Sequence, residues 1–147
     1  PYFAERKPRE VHAMLSWAVN ERFVGRRVTM FSTTVDFAEI LFRIVRHRAA
    51  SVLSGSFTPY GHIVTVVGFE TDQGDVEAAQ APSQVDRLAV KAVLVNDSWG
   101  DWHWNYAPGV SGYSVRFTVP EFLGLTKPFG SWRKWAHLFD RDGRFEE

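Results

Sequence analysis

Gly61-His62-Ile63-Val64-Thr65-Val66-Val67-Gly68-Phe69 is a short β-branched run that opens on a glycine and a histidine and closes on a second glycine. Valine, isoleucine and threonine favour the extended backbone of a buried strand, and the flanking glycines bound it. A second run of the same kind, Val93-Leu94-Val95-Asn96-Asp97-Ser98-Trp99-Gly100, ends on an acid. Each is a hydrophobic strand with one titratable residue at its edge. If the two strands are sheet neighbours, the histidine that opens one can meet the aspartate that ends the other, held rigidly as a base and its orienting group. Imidazole titrates near neutral pH, so it can take a proton from a nucleophile and return it to a leaving amine, while a carboxylate on its other nitrogen fixes the tautomer.

Working outward, residues 50–54 form another β-branched run, joined to the first by a loop over 56–60. Before it, Phe37, Ile40, Leu41, Ile44 and Val45 repeat at helical spacing, with Glu39, Arg43 and Arg46 facing water and Thr34 or Asp36 in place to cap. A second helix is expected over 9–20, where Val11, Met14, Leu15 and Ala18 share a stripe and Asn20 and Gly25 are stop signals. Residues 71–88 turn to Asp, Gln, Gly, Ala, Pro and Ser without a sustained apolar period, and are expected to be an exposed insertion carrying little core. Residues 90–95 resume as a strand and 113–119 alternate as a half-buried one. An aromatic loop holding Trp99, Trp102, Trp104 and Tyr106 lies between them. A helical turn over 121–125, a closing strand over 132–139 and a turn over 140–143 complete the chain. Helices followed by strands without regular alternation, and no internal repeat, give a single α+β domain over residues 1–147 with an antiparallel sheet.

Composition removes several classes of function. Lysine plus arginine and aspartate plus glutamate each total 17 of the 147 residues, so overall charge favours neither nucleic acid nor an anionic membrane surface. No apolar run approaches the roughly 20 residues that span a bilayer. The chain has no cysteine, which excludes disulfides, thiolate metal sites and a thiol nucleophile of its own. The five histidines show no metal-ligand spacing, and no metal or cofactor is expected. Asp140-Arg141-Asp142-Gly143 lacks the downstream glutamate of a calcium loop and reads as a turn. Ser54 and Ser56 lack the Gly-x-Ser-x-Gly elbow of a serine nucleophile.

The two strand-edge motifs together resemble the papain superfamily of cysteine peptidases. There a histidine followed by an apolar strand ending in Val-Gly-Tyr is succeeded by a strand ending in Asn-Ser-Trp-Gly and then by a Gly-Tyr strand; here the counterparts are His62, Val67-Gly68-Phe69, Asp97-Ser98-Trp99-Gly100 and Gly112-Tyr113. The bacteriocin-leader-processing-like peptidases of bacterial and phage proteins are the nearer match, with an aspartate as orienting residue. They also carry a Gly-x-Phe-Thr loop ahead of the Gly-His and a terminal Trp-x-His strand; compare Gly55-Ser56-Phe57-Thr58 and Trp135-Ala136-His137. The resemblance covers residues from about 36 to 139. The 35 residues from His62 to Asp97 exceed the superfamily's usual spacing, and the insertion at 71–88 accounts for the excess.

The resemblance implies a papain-like fold, with N-terminal helices packed on the antiparallel sheet. It makes His62 the general base, Asp97 its orienter and Trp99 a cover over their hydrogen bond, with Gly61 and Ser98 lining the cleft. The family's nucleophilic cysteine and oxyanion amide lie on an upstream helix and are not in this sequence. Two explanations stand. The cysteine belongs to sequence before Pro1, in the same chain or in a separate chain after cleavage, since the sequence does not begin with methionine. Alternatively, Arg6-Lys7-Pro8-Arg9 replaces the Cys-Gly-Pro-Thr element and the domain is a pseudoenzyme, a structural or binding module in a phage particle or cell-envelope assembly. The implied substrate is a peptide, a precursor protein or a peptidoglycan cross-bridge, in an extracellular, cell-envelope or virion setting. A third option uses the aromatic loop as a stacking platform for sugars.

Overall fold

The alternation His62, Val64, Val66 against Ile63 and Thr65 sets which side of its strand faces the core. In a computed structural model of the chain, residues 28–58, 61–99 and 111–141 are described, together with Met14, Trp17, Ala18 and Glu21. Six strands form one sheet: β1 (Val28–Asp36), β2 (Ser51–Gly55), β3 (His62–Thr71), β4 (Val90–Asn96), β5 (Val115–Thr118) and β6 (Arg133–Arg141). Their order is β1-β6-β2-β3-β4-β5 and every pairing is antiparallel. Helix α1 (Phe37–Phe42), prolonged by a π-helical turn (Arg43–His47), and helix α2 (Val119–Leu125) accompany the sheet, with three 3₁₀ turns between β3 and β4. The coarse α+β class with an antiparallel sheet is therefore present.

One side of the sheet carries the core. Leu53 stands opposite both Val64 and Ala136, and Val66 opposite Val95. All five are buried with Phe37, Ile40 and Leu41 of α1 and Phe122 of α2. Phe37 packs against both Phe122 (5.9 Å between ring centroids) and Trp132 (5.8 Å), which joins the two helices over that face. A bulge between Val66 and Gly68 inserts one residue, so that Phe69, opposite Val93, again packs toward the core. Asp36 caps α1 by accepting from the Ala38 N–H at 3.0 Å. Burial opposes its ionisation, but the Ala38 N–H and the Arg87 guanidinium outweigh that and hold the carboxyl below its ordinary value.

Three features depart from the sequence reading. Val28–Asp36 is a strand where none was expected, paired along its whole length with β6. The β6 strand itself runs through Asp140 and Arg141, so the turn expected at 140–143 does not begin at Asp140. Residues 71–88 also bury Val76, Ala79 and Val85 in the core, so this segment covers part of the apolar face rather than standing clear of it. Arg87 fastens it, pairing with Asp36 and lying 4.9 Å over the Trp132 ring. Most of the helix expected over 9–20 lies outside the described residues; Met14, Trp17 and Ala18, which are described, are helical. Arg6, Gly100, Trp102, Trp104, Tyr106, Asp142 and Gly143 lie outside them as well.

Ser51 is fully buried opposite Val66 and its hydroxyl has no hydrogen-bond partner among the described residues. A buried unpaired hydroxyl costs on the order of 1 kcal/mol or more. Ser51→Ala is therefore expected to raise the denaturant midpoint by the equivalent of about 1 kcal/mol; a clear fall in midpoint would contradict this account.

Candidate active site

The sheet register explains why His62 and Asp97 meet. Val66 pairs with Val95 and Thr65 with Asn96, so the position after Asn96 falls beside Val64, on the core side. His62 is two residues before Val64 on the same side, a diagonal neighbour within reach of a long side chain. The structure brings the two together: His62 Nε2 lies 2.6 Å from Asp97 Oδ1. The side chains are 11% and 1% exposed respectively, so the pair is sheltered with the imidazole on its open side.

Local turns hold both ends of this contact. Ahead of His62, the Gly61 N–H donates to the Thr58 carbonyl at 3.0 Å and the Thr58 hydroxyl donates back to the Gly61 carbonyl at 2.9 Å. Gly61 has φ +80°, a conformation that strains L side chains, which is why a glycine precedes the histidine. On the other strand, the Asp97 N–H donates to the Gly112 carbonyl at 2.7 Å, and Asn96 Oδ1 accepts from the Ser114 N–H at 2.9 Å. Asp97 Oδ1 also accepts from the Trp99 N–H at 2.8 Å, closing an Asx turn. Asp97 thus both turns its own loop and binds the imidazole. The roles of the Asn96 amide and the Gly112 carbonyl were not anticipated from sequence, although both residues lie within the motifs quoted above.

An ionised carboxylate can only accept, so the contact places the imidazole proton on Nε2 and leaves Nδ1 as the basic nitrogen. Among the described residues, the His62 ring has no hydrogen-bond partner other than Asp97. Trp99 sets its ring 5.6 Å from the imidazole at 59°, and it is 59% exposed, which makes it a rim residue rather than ordinary core. Ser98 is exposed beside it, and Tyr113, following Gly112, is 78% exposed. Trp99, Ser98 and Tyr113 thus present two aromatic rings and a hydroxyl on exposed residues that follow and flank the Asp97 turn.

His137, the histidine of the Trp-x-His strand, does not join this group. It adjoins Ala136 and Leu138, whose side chains face the core, so it projects from the opposite side of β6 to that carrying His62 on β3. There it packs edge-on against Trp135 at 4.6 Å. No group of three or more metal-ligating side chains occurs among the described residues, and no helix there is long and apolar enough to cross a membrane. A separate cavity of about 590 Å³, lined by Asp36, Ala38, Pro82, Val85, Arg87 and Leu88 among others, includes none of the dyad's residues. No family model matches the chain, and neither a curated protein nor a solved structure matches it.

Proposed function

We propose that this chain supplies the proton-transfer half of a cysteine-peptidase-like site of papain-like architecture, completed by a thiol from an upstream segment or a separate chain. The carrying observation is the 2.6 Å contact of His62 Nε2 with Asp97 Oδ1, which leaves Nδ1 as the nitrogen able to receive a proton. In the reaction, the thiol gives its proton to Nδ1 and its sulfur adds to the carbonyl of a peptide or isopeptide bond. His62 then returns the proton to the departing amine, leaving an acyl thioester for water to hydrolyse. Asp97 keeps the imidazole in the required tautomer and stabilises the imidazolium that forms. Peptides, precursor proteins and peptidoglycan cross-bridges are the substrate classes in view, in an extracellular, envelope or virion setting.

The test is to express the chain with whatever coding sequence is found ahead of Pro1 and to measure peptide hydrolysis with and without a thiol-alkylating reagent. Alkylation-sensitive turnover supports the reading. Absence of any cysteine there, and of any partner chain restoring turnover, would leave the second reading in its place: an inactive peptidase-like module that uses the cleft for binding. The exposed rings of Trp99 and Tyr113 favour that alternative, since they offer a contact surface independent of catalysis.

A further inference from the structure

Lys134 is fully buried, an uncommon place for an ammonium. It sits on the core side of β6 in the alternation Lys134, Ala136, Leu138. Its Nζ donates to three backbone carbonyls, those of Leu123 (3.1 Å), Thr126 (3.0 Å) and Pro128 (3.0 Å), and no carboxylate partner is present among the described residues. One cation thereby gathers the C-terminal end of α2 and the connection into β6. Charged side chains on the surrounding elements are turned elsewhere. Asp36 of β1 binds Arg87, Glu121 of α2 binds Thr118, Arg133 binds the Thr34 carbonyl, and Lys127 of the connection is exposed.

That gathered segment is stitched to the strand facing the candidate base. The Ser56 N–H donates to the Leu125 carbonyl at 2.8 Å and the Lys127 N–H to the Ser54 carbonyl at 3.1 Å, bridging Thr126 to Gly55. Gly55 is the residue opposite His62 in the β2–β3 ladder. The approach is close: a β-carbon on Gly55 would fall 2.4 Å from the Leu125 carbonyl oxygen. The ammonium thus holds the α2–β6 connection, and that connection is hydrogen-bonded to β2 on both sides of Gly55, the ladder partner of His62.

We propose that Lys134 is a positioning residue for the His62–Asp97 dyad, fixing the α2–β6 connection against Gly55 and hence the backbone from which His62 projects. The inference rests on the catalytic reading for its significance but not for its test. In Lys134→Met, the His62 Nε2–H proton resonance is expected to shift or vanish, while the Arg116 Nε–H signal of the distant Glu70 pair stays in place. A folded variant with an unchanged His62 resonance would overturn the proposal.

If that variant does not fold, the wild-type contact can be tested in a Tyr113→Phe background, which removes the exposed phenol next to Gly112. The Lys134 side chain and the His62 ring are followed together from neutral to alkaline pH. A neutral amine has two donors for three carbonyls, so the His62 ring signals are expected to move with the Lys134 midpoint. Ring signals that stay flat through that midpoint would overturn the proposal. Neither measurement requires hydrolysis, so a positive result with no peptidase activity would refute the functional reading alone.

Discussion

Replacing His62 with alanine in the thiol-completed protein is expected to lower kcat/KM by about 10²–10⁴-fold, the usual contribution of a positioned general base. Nδ1 is the nitrogen left for proton transfer once Nε2 is committed to Asp97. Without imidazole, neither activation of the thiol nor protonation of the leaving amine has a carrier. The alanine variant also strips a partner from a carboxylate whose side chain is only 1% exposed, so some stability is lost with the activity. His62→Gln separates the two effects, because an amide N–H can still donate to Asp97 while the side chain cannot shuttle a proton at neutral pH. Its melting temperature is expected near wild type and its turnover near that of the alanine variant. Full turnover in either variant would remove His62 from the mechanism.

The largest stability effect is expected at Lys134. Truncation to alanine removes three buried methylenes, leaves a cavity and takes the ammonium away from three carbonyls. Leu123 and Pro128 retain an N–H partner each, from Gly130 and Ser131, whereas the ammonium is the partner seen for the Thr126 carbonyl. Together these losses come to about 4 kcal/mol, measurable by urea unfolding. Lys134→Met fills most of the volume and should cost less. Burial pushes the Lys134 ammonium down to about 8. A lowered lysine pKa means that the unfolded chain binds more protons between that value and 10.5, so this residue's contribution to stability increases as pH rises through the window. The stability of wild type relative to Lys134→Met is therefore expected to be flat below about pH 8 and to increase above it. A decrease over that window would reverse the assigned cause.

The central strands and the dyad were legible because their signals are local. Paired β-branched runs with a polar residue at one edge fix both the face and the end of each strand, and the register does the rest. β1 was missed because Ser32, Thr33 and Thr34 interrupt its apolar pattern and neither glycine nor proline marks its ends. It is specified mainly by β6, distant in sequence. In residues 71–88, Val76, Ala79 and Val85 are isolated apolar residues on irregular turns, and no periodicity announces their burial. The Lys134 site also lacked a simple sequence signal. A lysine among alternating inward positions looks like a pattern error until the carbonyls that receive it are known.

The strand order has a bearing on how the molecule comes together. β6 lies between β1 and β2, strands that precede it by about a hundred and by about eighty residues. On a nascent chain emerging from the ribosome, β2, β3, β4 and β5 can zip in sequence, whereas β1 has to wait for its only neighbour in the described sheet. The keystone is made last, and this dependence on distant pairing predicts slow maturation, with the half-built sheet presenting an open edge to chaperones until β6 arrives.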